Sequence, residues 1–174
     1  GQQFVYLAGA ALLLVALMKH GMPRSCVCLS ALVLLFAPET LLNEQLRLSR
    51  VFLYEGLTLL LIALWFCSLA TTKLPWILFL SLLSGITLCA YALVREEFPG
   101  ILPVYLLVLL FYLHLHGWKQ PRTWRNVLLL LALPGLCLFA SQAFIRSLNY
   151  AHYGASILSD QKEGSFPRTI AATP

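Results

Sequence analysis

Leu93-Val94-Arg95-Glu96-Glu97-Phe98-Pro99-Gly100 sets three consecutive charges between two apolar segments, each long enough to cross a bilayer. A membrane chain keeps such a cluster at an aqueous face, because an ionised side chain at mid-bilayer costs about 2.5–3.5 kcal/mol even on insertion scales. Which face this is, and which other charges share it, organises the rest of the reading.

The composition points the same way. The chain of 174 residues is 60% apolar and only 11% charged, with mean hydropathy +0.81. An ordinary soluble domain carries about 25% charged residues, so that class is excluded. At about 20 residues per spanning helix, the length accommodates roughly six spans. The expected fold is therefore all-α, a multi-pass transmembrane helical bundle. The chain begins Gly1-Gln2-Gln3 without Met and closes on Ala172-Thr173-Pro174, and we expect a fragment of a longer protein. Phe4 to Met18 lacks the charged leader and small-residue cleavage site of a secretion signal.

Outward from the charged cluster, the fourth span runs back from Val94 to Pro75, which suits the first turn of a helix. Thr71-Thr72-Lys73 is a tight turn, and Val51 to Ala70 is the third span. Before it stand a polar link, Pro38 to Arg50, and two shorter apolar runs, Phe4 to Met18 and Ser25 to Ala37. In the other direction, Pro99 and Pro103 fall in the opening turns of a fifth span reaching about His114, where a missing backbone donor costs least. The basic link His116 to Arg125 carries Trp118 and Trp124, as at a membrane interface. A sixth span, Val127 to about Ile145, contains Pro134-Gly135, where a kink is expected. Residues 1–146 are thus read as a transmembrane helical domain and 147–174 as an outer juxtamembrane segment.

Charges sort by alternate loops. Lys19, Arg24, Lys73, Lys119, Arg122 and Arg125 share one side with no acid, whereas all seven acids lie on the other with Arg47, Arg50, Arg95, Arg146, Lys162 and Arg168. Basic residues alone divide six and six, so the positive-inside count does not decide. The purely cationic side is assigned to the cytoplasm, which places both chain ends, the Pro38 to Arg50 link and the Arg95 cluster outside. A net charge of +5 scattered over helix ends is a topology signal and excludes a nucleic-acid patch. Cys26, Cys28, Cys67, Cys89 and Cys137 all sit in apolar runs and read as small buried hydrophobes.

Candidate chemistry collects on the acid-bearing side. Glu55 lies five residues beyond Arg50, about 7 Å along the third helix. An acid at that depth either faces a wet cavity or pairs with Arg50 or Arg95. Arg95, Glu96 and Glu97 offer a cation for phosphate oxygens and carboxylates for proton transfer, or form a solvated loop with local ion pairs. His152, in the aromatic stretch Asn149 to Gly154, is a lipid or glycan contact, or part of an interfacial anchor. His114 and His116, two apart, do not share a helix face and make no metal site. Glycine-rich phosphate loops, Ser-His-Asp spacing and EF-hand patterns are absent.

Pro38-Glu39-Thr40 through Arg50, then Tyr54-Glu55-Gly56-Leu57-Thr58, then Ser84-Gly85-Ile86-Thr87-Leu88 ending in Val94-Arg95-Glu96-Glu97, resembles the middle helices of bacterial membrane glycosyltransferases of the GT-C fold. The nearest group is related to family 39, the polyprenyl-phosphate-sugar-dependent enzymes that include protein mannosyltransferases and the aminoarabinose transferase. Asn149 to Gly154 and Glu163 to Arg168 resemble the outer segment of bacterial members that also carry Arg-Glu-Glu. The resemblance implies sugar transfer from a polyprenyl-phosphate donor to an acceptor at the outer face of the bacterial inner membrane. It implies Arg50 and Arg95 at the lipid phosphate, with Tyr54 and His152 also on the substrate, and Glu55, Glu96 and Glu97 as orienting or proton-handling groups. Membrane lipid is the other expected partner; no resident cofactor is implied, with a divalent metal left open. The family's principal carboxylate follows its first helix, and no such Asp occurs here, so it is expected upstream of Gly1. The rivals are a transporter or lipid flippase, in which Pro134-Gly135 marks a broken helix lining a substrate path, and a non-catalytic membrane subunit.

Overall fold

The computed structural model describes residues 2–35, 50–94 and 98–153. Among them are six α-helices and no strand: α1 (Gln2–Lys19), α2 (Arg24–Leu35), α3 (Arg50–Leu69), α4 (Leu74–Val94), α5 (Leu102–His116) and α6 (Pro121–Tyr153). A short 3-10 turn, Phe98–Ile101, leads into α5. The all-α expectation is met. The Pro38–Arg50 link up to residue 49 and residues 154–174 lie outside the described residues.

Contacts fix the directions of the helices. Tyr6 and Gly9 of α1 lie against Gly56 and Leu60 of α3, so numbering rises together and the two helices run parallel. Likewise Ser81 and Gly85 of α4 meet Leu129 and Pro134 of α6. Helices α3 and α4 form an antiparallel hairpin around residues 70–73. The six helices therefore alternate in direction. His20, Thr71, Lys73 and His116 gather at one end, where His20 reaches Phe66 and His116 reaches Leu69.

Helix α3 is the axis. Leu57, Leu61, Ala63, Leu64, Trp65 and Leu69 are buried along it, and none of the large apolar side chains described from Leu53 to Leu69 is exposed. Around it pack α1, α4 and α5, with Trp65 stacked on Tyr105 at 4.7 Å between ring centroids. Glycine permits the closest approach: a Cβ on Gly9 would stand 2.9 Å from the Leu60 backbone nitrogen. On the outer helices the pattern inverts. Phe4, Leu29, Trp76, Phe79, Leu107, Leu128, Leu136, Phe139 and Phe144 are all exposed, and large apolar side chains left outward in such numbers mark a surface for lipid or protein contact.

Helix lengths differ from six equal spans. Among the described residues α4 and α6 are long and apolar enough to cross a bilayer, whereas α2 has 12 residues and α5 has 15. At 1.5 Å per residue those two reach only about 18 and 22 Å against a hydrocarbon thickness of about 30 Å. Helix α6 is longer than the expected Val127 to Ile145, continuing unbroken through Pro134 and past residue 146 to Tyr153. Its polar tail, Arg146 to His152, remains helical because polarity does not break a helix that already has a turn to extend.

Pro134 is accommodated by hydrogen bonding from a neighbouring helix. Proline lacks an N–H, so the Leu130 carbonyl four residues earlier loses its intrahelical donor. The buried Tyr105 hydroxyl of α5 donates to that carbonyl, and Ser81 of α4 donates to the adjacent Leu129 carbonyl at 2.8 Å.

Candidate functional site

The two ends of α3 carry different chemistry. At its start, the helix turns about 100° per residue, so Tyr54, Glu55 and Gly56 point in three directions. Tyr54 meets α4: its ring lies 4.7 Å from that of Tyr91, whose hydroxyl donates to the Tyr54 hydroxyl at 2.6 Å. Gly56 meets α1, where a Cβ would stand 3.1 Å from the Tyr6 nitrogen. Glu55 lies between these contacts, half-buried, with its Oε2 atom enclosed. Thr58, one turn on, donates to the Tyr54 carbonyl. At the end where α3 begins and α4 finishes, the Tyr54–Tyr91 phenol pair joins the two helices, and the Glu55 carboxylate projects from α3 about 100° away from Tyr54.

The other expected site residues fare unequally. Arg50 is the first residue of α3, five before Glu55, and its side chain lies outside the described residues. Arg95, Glu96 and Glu97 also lie outside them. In sequence, Arg95 follows Tyr91 by four residues. His152 is exposed in the last turn of α6. Because Gly85 packs on Cys137 in a parallel pair, Val94 comes level with about residue 146, and His152 stands roughly 9 Å farther along the axis. Tyr54 and Tyr91 are brought together, Glu55 follows Tyr54 in α3 but is turned about 100° from it, and His152 is carried beyond them.

Tyr91 is absent from the sequence reading, yet a signal existed. Tyr54 stands 18 residues before Thr72 and Tyr91 stands 19 after it. In an antiparallel hairpin turning at Thr72 those positions meet.

At its far end α3 is closed by a polar clasp. Helix ends leave four carbonyls without intrahelical donors. Here the Phe66 carbonyl accepts from His20 Nε2 at 2.9 Å and the Leu69 carbonyl from His116 Nε2 at 2.9 Å, while the Ala70 and Thr71 amides take Cys67 and Ser68. Each imidazole must carry its proton on Nε2, since a carbonyl only accepts. Beyond the helix, Tyr112 donates to the Thr71 carbonyl at 3.1 Å, and Asn126, fully buried, donates through Nδ2 to Tyr112 at 2.9 Å and to the Thr72 carbonyl at 3.3 Å. His116 thus serves to close the end of α3. No cluster of three or more metal-ligating side chains occurs among the described residues.

A cleft of about 500 Å³ opens between α1, α3 and α4 beside this clasp, lined mainly by apolar side chains with Lys19 and Lys73 among them. Comparison with protein-family models, with curated proteins and with solved structures finds no match to this chain.

Proposed function

We propose that the chain is the helical membrane portion of a glycosyltransferase that moves a sugar from a polyprenyl-phosphate donor to an acceptor at the outer face. The supporting observation is Glu55: an acid set about 7.5 Å into the central helix with one oxygen enclosed, following Tyr54 of the phenol pair in the same turn of α3. Carboxylates are kept at such depth where they hold a proton, a cation or a hydroxyl-bearing ligand. In this reading the apolar exteriors of the outer helices face lipid and the bundle crosses the bilayer several times, the shorter helices being met by local thinning.

The chemistry is an attack by an acceptor hydroxyl on the anomeric carbon of the donor. The hydroxyl's proton passes to a carboxylate and the lipid phosphate leaves with the bonding pair, its charge met by Arg50 and Arg95. Glu55 orients the acceptor or relays its proton, with Glu96 and Glu97 beside it, and Tyr54 offers a phenol to sugar hydroxyls. His152 contacts substrate only in an acceptor long enough to reach beyond the bundle.

Glu55→Gln in the full-length protein keeps the size and removes the base. Transfer of radiolabelled sugar from the polyprenyl-phosphate donor in membrane vesicles should fall about a hundredfold or more, with membrane abundance unchanged. Wild-type turnover by this variant would remove Glu55 from the reaction and the reading with it. The transporter alternative draws no support from α6, which runs unbroken through Pro134 with the freed carbonyl already satisfied.

A further inference from the structure

We propose that the cleft between α1, α3 and α4 binds one anionic glycerophospholipid, with its phosphate at Lys19 and Lys73 and an acyl chain laid along Val15, Leu64 and Leu83. The proposal rests on the membrane reading above and concerns the opposite end of α3 from Glu55.

Three observations carry it. The cleft holds about 500 Å³, within the range of roughly 300–1,000 Å³ typical of sites for small organic ligands. Its walls are apolar but it is not sealed by protein: Trp76 and Phe79 at its edge are exposed, set edge-to-face at 6.1 Å. Exposed tryptophan belongs at the headgroup level of a bilayer, and basic pockets between helices on that side hold anionic headgroups. Finally, among the described residues no acid answers the two lysines. Glu55 is the one acid among the described residues and stands 12 residues before Cys67, another cleft residue, or about 18 Å along α3. Two ammonium groups at the mouth of an apolar furrow match a ligand with one anionic phosphate and long hydrocarbon tails. Their flexible stems can extend along the apolar wall while the charged heads stay at the water boundary.

The test is native mass spectrometry of the protein released from nanodiscs containing equal phosphatidylglycerol and phosphatidylcholine. The wild type should retain one phosphatidylglycerol in preference to phosphatidylcholine. The K19Q/K73Q double variant should lose that preference by at least about tenfold, each lysine contributing roughly a factor of five. Lys119→Gln, at the same end but outside the cleft, should keep it, and Leu64→Trp should displace the lipid with both lysines intact. Equal retention of the two lipids, an unchanged double variant, displacement by inorganic phosphate alone, or preference for polyprenyl phosphate would each overturn the assignment. Alkaline carbonate extraction separates this from failure of the underlying reading. Release of the protein from membranes defeats both, whereas a membrane-retained protein without lipid selectivity defeats only the cleft.

Discussion

The Tyr105 hydroxyl donates to the carbonyl that Pro134 leaves without an intrahelical partner, and that pairing explains how α6 passes through a proline without breaking. Tyr105→Phe keeps the ring and its stacking on Trp65 but strands the Leu130 carbonyl. The expected loss is about 1–2 kcal/mol, read as a lowered unfolding midpoint in detergent. An unchanged midpoint would show that the hydroxyl does not offset the proline. Pro134→Ala in the same background should recover the loss, because it restores the Leu130 hydrogen bond within α6. At the clasp, Asn126→Asp places an acceptor-only, charged group against the Thr72 carbonyl, and a loss of about 3 kcal/mol or more is expected. Asn126→Ala, which only removes the donors, should lose less.

Helix α3 is central because small residues let α1 come close. Gly9 and Gly56 meet the α3 and α1 backbones at distances that no Cβ can share without movement. Gly9→Leu must push α1 off its partner and should lower thermal stability and the yield of folded protein. Gly135→Ala, where a Cβ meets nothing within 4 Å, should be neutral or gain up to about 1 kcal/mol from helix propensity. Equal stability of the two variants would contradict the close crossing. The sequence made the helices legible through their lengths and turns: Thr71-Thr72-Lys73 and the proline-led start of α5 fall where expected. The centrality of α3 was not legible. In a soluble protein a polar stripe marks the outward face, but here α1, α4 and α5 are apolar all round and no stripe tells inside from outside. For the same reason Glu55 stood out while Tyr91, aromatic among apolar neighbours, did not. His152 was grouped with the site because loop order places it on the same side, but loop order does not measure how far α6 runs past α4.

Across the whole molecule, the core is one buried column along α3, and the outer helices turn their large apolar side chains outward. The ends differ in charge. Among the described residues the clasp end holds Lys19, Arg24, Lys73, Lys119, Arg122 and Arg125 without an acid, and the helices alternate in direction. Each helix reversal moves the next loop to the other end, which is why the basic links 19–24, 73 and 119–125 fall together. In the proposed function the molecule lies in a bilayer with its cationic, clasped end toward the cytosol and its Glu55 end outside. Gln45→Cys and Gln120→Cys, made singly in a background without the five native cysteines, test it by labelling with a membrane-impermeant maleimide on intact cells and on inverted vesicles. Position 45 should label only in cells and position 120 only in inverted vesicles; labelling of both from the same side would contradict the claim.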